Sequence, residues 1–202
     1  MKTMTWSKEE FQDAAIHIAP KLLGQYLIHC TKTAEYIGKI VETEAYGGFY
    51  KGAADDGSHA FRGRTLRNAP MFEAGGISYV YLIYGMYHCF NVVTSAKDDA
   101  QAVLIRAVEP VGGIETMLHN RRREKMNPAV TNGPGKLCAA MEISRQENGL
   151  PLWGDSLYIA GSPYGERFSI GTGPRIHIEY AEKGKFFPWR FFIKGNPFVS
   201  KG

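Results

Sequence analysis

No apolar run in this chain of 202 residues approaches the roughly 20 that a membrane-spanning helix needs, and the opening MKTMTWSKEEF has no apolar segment of signal-peptide type. The expectation is a cytoplasmic protein with no membrane partner. Cysteine is scarce: Cys30, Cys89 and Cys138 are odd in number, far apart and set among apolar residues, which predicts reduced core thiols and excludes a disulfide frame. No Cys or His spacing is typical of a metal site. Repeats and linkers are missing too. With 44% hydrophobic and 22% charged residues, the chain reads as one globular domain spanning 1–202. The net charge is only +4, distributed as −1 over residues 1–50, +2 over 51–150 and +3 over 151–202. Two local clusters, FRGRTLR at 61–67 and NRRREK at 120–125, are compatible with a polyanion or with a solvated face.

Aromatic residues are plentiful. In ISYVYLIYGMYHCFNVV (77–93), Ile77, Tyr79, Tyr81 and Ile83 alternate with Ser78, Val80, Leu82 and Tyr84, and β-branched and aromatic types dominate, so the segment reads as strand. Gly85 favours a hairpin tip at YGMY, with HCFNVV returning antiparallel. Tyr79 and Tyr87 are expected in the core; Tyr84, at a turn with little core to join, should meet another surface.

Elsewhere, Ser7 and Glu10 form a capping box, and Phe11, Ala14, Ala15 and Ile18 recur at helical spacing, so a helix is expected there and a second short one starting at Pro20. QYLIHC, YIGKIVETEAY and AVLIRAVEP read as strands, GGIETMLHNRRR as a helix presenting Ile114, Met117 and Leu118, and NGPGKLCAAMEI as a turn into a helix. PRIHIEY and WRFFIKG read as β. Strands in hairpin-like succession indicate an α+β domain with a mainly antiparallel mixed sheet, flanking helices and a protruding β-hairpin.

Three segments could carry chemistry. In GKIVETEAYGG, Ile40, Glu42 and Glu44 are expected to share one strand face; like charges there mean either a solvent-facing strand whose acids pair with Lys or Arg, or a glutamate at a pocket acting as a base toward water. Arg106, in an otherwise apolar strand, requires a partner and is the natural companion. TNGPGKL fails the GxxxxGK[ST] phosphate-loop pattern, because Val130 and Leu137 stand where Gly and Ser/Thr are needed, although Lys136 could still meet a backbone phosphate. ADDGSH offers two acids and His59, read as solvated turn acids. A carboxylate beside an aromatic slot, on a protein with cationic patches, fits an enzyme that draws one base from the duplex while a ring such as Tyr84 fills the gap.

At IVETEAY, RNAPMF, SYVYLIYGMYHCFN, VLIRAVEP, NGPGKLCAAM and PRIHIEY…PWRFFIKGNPFVS, in that order, the sequence resembles the alkyladenine (3-methyladenine, methylpurine) DNA glycosylases. The resemblance implies a compact α+β fold and hydrolysis of the bond between a damaged purine and deoxyribose. By position, Glu44 matches the water-activating base and Arg106 its companion. Tyr46, His59 and Tyr81 match the pocket around the flipped base, Asn91 an amide within it, and Tyr84 the minor-groove wedge. Arg64 and Arg67 join Lys136 as candidate contacts to the DNA backbone. The implied partner is double-stranded DNA containing damaged purines, bound by a monomer without cofactor or metal, nucleoid-associated in a bacterium. Methylation at a ring nitrogen leaves the base cationic, weakening its bond to the sugar and favouring tyrosine faces. The pocket segments contain no lysine, the nearest in sequence being Lys39 and Lys97, so water is the expected nucleophile. Two other readings stay open: a binding module for RNA or single-stranded DNA, and a metal hydrolase using Glu42, Glu44, Asp55 and His59.

Overall fold

The structure, a computed structural model, describes residues 4–162 and 165–201; the first three residues of the opening segment lie outside it. The described residues contain ten strands: β1 Tyr26–Cys30, β2 Glu35–Tyr46, β3 Phe49–Tyr50, β4 Ala53–Ala54, β5 Ser78–Ile83, β6 Tyr87–Thr94, β7 Gln101–Gly112, β8 Leu157–Ala160, β9 Ile170–Gly173 and β10 Arg190–Ile193. Three α-helices accompany them, α1 Ala15–Leu22, α2 Ile114–Asn120 and α3 Pro134–Ala140. The main sheet runs β5-β6-β7-β2-β1-β8, and every pairing in it is antiparallel. The fold is α+β, a single compact domain, as the succession of strand patterns indicates.

The long strand β2 organises the sheet. β7 follows one of its edges, while the other edge is divided: β1 pairs with Glu35–Lys39, and β10 pairs with Glu42–Glu44. The β2–β7 register slips twice. Val41 is passed over between Ile40↔Val108 and Glu42↔Ala107, and then Arg106 is passed over between Glu42↔Ala107 and Thr43↔Ile105. Compensating irregularities of this kind restore the register while re-aiming the side chains between them. They also correct the expected face: Ile40 joins Val41 and Ala45 in the main core, and only Glu42 and Glu44 turn toward Arg106.

α1 buries Ala15, Ile18, Ala19 and Leu22, each fully buried Ile or Leu contributing about 1.5–3 kcal/mol. Thr43 Oγ1 donates to the carbonyl of Ala19 at 2.9 Å, tying α1 to β2. The helix expectation needs two corrections. The capping box at Ser7 and Glu10 closes only a 3-10 turn, Lys8–Phe11, because tertiary bonds replace helix continuation: Ser95 donates to Phe11 O, and Ala15 N–H donates to Gln101 Oε1. Pro20 lies inside α1 and does not begin a new helix; with the end only two residues away, one missing backbone bond is tolerated.

β5 and β6 form the predicted hairpin, Ile83 opposite Tyr87, with Tyr84-Gly85-Met86 as the loop. Tyr84 has φ 52° and is 79% exposed. A bulky side chain in left-handed backbone on an open tip stores strain that core packing does not explain. Tyr79 is buried as expected, but Tyr87 is 48% exposed, because it faces the start of α3 instead of the core. PRIHIEY is not a strand: residues 174–180 are irregular, with Arg175 and Ile178 buried. Cys89 and Cys138 are buried free thiols; Cys30 is half-buried beside Glu35. Among the described residues, no helix is long and apolar enough to cross a membrane.

Candidate active site

The two strand glutamates are both completely buried, with different partners. Glu42 Oε1 accepts from Arg190 Nε at 2.6 Å and from Ser200 Oγ at 2.9 Å, and its Oε2 accepts from Ser200 N–H at 2.7 Å. Glu44 Oε2 accepts from the Tyr46 hydroxyl at 2.8 Å and from Arg106 Nη1 at 3.3 Å, while Oε1 accepts from the Ile176 N–H at 2.8 Å. Arg106 is thus shared: its Nε also lies 3.3 Å from Glu42 Oε1, within ion-pair distance but without a hydrogen bond. Burial disfavours the charge on Arg106, but Glu44 and then Glu42 outweigh it and hold its pKa above the ordinary arginine value.

Beside this group opens a cavity of ≈ 770 Å³. Tyr46, His59, Tyr81, Asn91 and Arg106 line it together, Tyr84 and Tyr87 reach it from the hairpin, and Pro134–Lys136 from the start of α3. The sequence-predicted pocket residues therefore converge on one space. Glu44 does not itself line that space; Tyr46 and Arg106, which bond to it, do. His59 meets Tyr81 edge-on at 4.7 Å between centroids, and its Nδ1 is 3.1 Å from the Tyr79 hydroxyl. His59 is exposed as a residue, yet desolvation of its ring, with Arg67 nearby, lowers its pKa. Burial, then Glu44, raises Tyr46 well above the ordinary phenol, and burial, then Cys89, does the same for Tyr81, so both are neutral donors. Asn91 Nδ2 donates to the carbonyls of Tyr79 and Cys89, fixing the amide plane and leaving Oδ1 as its acceptor.

The three basic candidates are outside the polar cluster. Arg64 is exposed and paired with Glu73 at 3.0 Å. Arg67 stacks over the Tyr81 ring at 5.2 Å and donates to Leu82 O. Lys136 donates to Asn132 Oδ1 at 2.8 Å at the cavity edge.

ADDGSH is not a solvated turn. Asp55 is buried and grips Arg175 with both oxygens, at 2.5 and 2.7 Å, while also accepting from the N–H groups of Gly47 and Gly57. Asp56 accepts from the N–H groups of Glu182, Lys183 and Gly184. Gly47 is required here: its φ is +91°, and a Cβ would stand 2.4 Å from Ala100 O. Arg175 escaped the sequence reading, because in GTGPRIHIEYAE it stands among polar and turn residues that do not mark it, as an apolar strand marks Arg106, as a charge in need of a partner. With Asp55 spent on Arg175 and Glu42 on Arg190 and Ser200, the metal-hydrolase reading keeps only Glu44 and His59 of its four donors, and among the described residues no group of three His, Cys, Asp or Glu could hold a metal ion. The sequence neighbours Lys39 and Lys97 were the wrong measure of lysine proximity: Lys136 and Lys201 line the cavity, and Lys39 pairs with Glu166 and Glu109.

An aromatic cavity on an antiparallel sheet, backed by a buried carboxylate-arginine set, is the site that the comparisons with known proteins have to explain. The sequence matches the family model described as methylpurine-DNA glycosylase (MPG) over residues 9–197. It is 47% identical over 201 residues to proteins of Bacillus thuringiensis (strain Al Hakam) and Bacillus cereus (strain G9842), covering 95% of this chain and 96% of each relative, both named "Putative 3-methyladenine DNA glycosylase". A protein of the same name from Bacillus cytotoxicus is 46% identical over 202 residues, covering 95% of this chain and 97% of its own. The chain belongs to the methylpurine-DNA glycosylase family and is a hydrolase of N-glycosyl bonds.

Proposed function

We propose that this protein acts as a monomer on double-stranded DNA, turns an alkylated or deaminated purine such as 3-methyladenine out of the stack into the cavity, and hydrolyses its glycosidic bond with water. The observation that carries the reading is the hydrogen-bonded set Glu44, Tyr46 and Arg106, in which Tyr46 and Arg106 form part of the wall of an aromatic cavity and Glu44 lies bonded behind them. Glu44 is the base toward water and stabilises the positive charge that builds on the sugar as the purine leaves. Arg106 and the Tyr46 hydroxyl hold its Oε2. Tyr46, Tyr81 and His59 receive the base, and a cationic purine gains attraction from the tyrosine faces. Asn91 offers an acceptor within the cavity. Arg64, Arg67 and Lys136 are assigned to the DNA backbone, and the place of work is the cytoplasm, at the nucleoid where the host is a bacterium.

Two experiments test this reading. On an end-labelled duplex carrying one alkylated or deaminated purine, the protein is expected to release the free base and leave the strand uncut until alkali or heat is applied, with no adduct trapped by borohydride. Lys136 is half-buried and held by Asn132, and Lys201 is exposed, so neither has the desolvated setting that an amine nucleophile needs. Prompt strand cleavage with a trapped adduct would refute the water mechanism and point to one of these two lysines.

Tyr84 is assigned as the wedge that fills the vacated stack. Tyr84→Ser is expected to weaken capture of the extruded base by a factor matching the few kcal/mol of unstacking, while the melting temperature moves little, because the ring is exposed. A large fall in melting temperature with unchanged excision would make Tyr84 a folding residue instead.

A further inference from the structure

Arg175 does not line the cavity, yet its side chain is fully buried just behind it. Its Nη1 donates to Ala45 O at 2.9 Å and to Asp55 Oδ2 at 2.7 Å; its Nη2 donates to Asp55 Oδ1 at 2.5 Å and to Gly184 O at 3.0 Å. The guanidinium carbon lies 4.5 Å from the centroid of the Tyr46 ring. The next residue, Ile176, is the one whose N–H donates to Glu44 Oε1. Asp55 in turn holds the N–H of Gly47, directly after Tyr46, and that of Gly57, two residues before His59. One side chain thus joins the end of β2, the loop that carries His59 and the irregular segment 174–180.

A buried ion pair contributes little to stability compared with apolar residues of the same volume, so stability alone does not account for it. A planar fork does something an apolar side chain cannot: it fixes the relative orientation of everything it bonds. The two supports of the Glu44 carboxylate nearest to Arg175, the Tyr46 hydroxyl on Oε2 and the Ile176 N–H on Oε1, both lie on segments that it grips.

We propose that Arg175 is a positioning residue for excision, holding the Tyr46 ring and the Ile176 N–H so that the Glu44 carboxylate keeps a single orientation toward the reacting water. This rests on Glu44 being the base. Lysine, with one amine and no plane, cannot replace the fork.

The test is a double-mutant cycle on full-length protein, with single-turnover release of an alkylated purine and affinity for the same duplex as readouts. R175K and R175Q are expected to lower the single-turnover rate about 100-fold, the scale of an ångström-sized misplacement, with affinity within about threefold of the parent. In the Glu44→Gln background the same substitutions are expected to cost almost nothing further, because the group they orient is already disabled. Losses that simply multiply would overturn the proposal, since structural damage acts whether or not residue 44 is a carboxylate. A parental rate in R175K would also overturn it, and so would failure of both Arg175 variants to fold, which would assign the residue to stability. Parental excision by Glu44→Gln alone would instead remove the assignment of the base, and the proposal with it.

Discussion

Replacing Glu44 with Gln is expected to lower single-turnover base release by about 100- to 10,000-fold, the range of a lost general base, while DNA binding and fold persist. The amide keeps the volume of the side chain but cannot accept a proton from water. It also sets an NH2 group against one of two donor sets, the Ile176 N–H at Oε1 or the Tyr46 hydroxyl and Arg106 at Oε2, so part of the bonding of the carboxylate is lost as well. Glu42→Gln supplies the contrast. Glu42 lies on the same strand face but is spent on Arg190 and Ser200, so its replacement should lower the melting temperature more than the rate. Equal rates in Glu44→Gln and the parent, measured with enzyme in excess over a lesion-bearing duplex, would sink the assignment. Equal loss in the two glutamine variants would show that chemistry follows the network as a whole and not one carboxylate.

The pairing of Glu44 with Arg106 was legible in the sequence because each breaks a local rule: carboxylates are rare in strands, and a cation in an apolar strand must be paired. The hairpin was legible from period-two tyrosines meeting at Gly85. What was hidden depends on pairs that are distant along the chain. Asp55 and Arg175 are 120 residues apart, and an acid in a Gly-rich stretch looks like a solvated turn until its cation is found. PRIHIEY alternates like a strand, yet the N–H of Ile176 goes to a side chain, Glu44, and not to a neighbouring strand. The slips at Val41 and Arg106 belong to the pairing of two strands, and neither strand carries them in its own pattern. The helix entering at Phe11 failed for a related reason: its backbone groups are claimed by Ser95 and Gln101, which local spacing does not reveal.

The adjacent acids Asp55 and Asp56 should separate sharply when each is replaced by alanine. Asp55→Ala leaves the Arg175 guanidinium buried without its anion and frees the N–H groups of Gly47 and Gly57, a loss of about 3–5 kcal/mol for the broken buried pair. For a chain of this length each kcal/mol moves the melting temperature by roughly 2–4 °C, so the expected fall is about 6–20 °C. Asp56 is half-buried, and it acts as a cap for the N–H groups of residues 182–184. Burial opposes its charge, but those three bonds prevail and lower its pKa. Removing such a cap costs about 1 kcal/mol, which predicts a shift of only a few degrees. Thermal denaturation of the two variants at neutral pH decides the matter. A melting temperature for Asp55→Ala close to that of Asp56→Ala would mean that Arg175 finds water or another acceptor in its place, and that the pair is not what ties segment 174–180 to the end of β2.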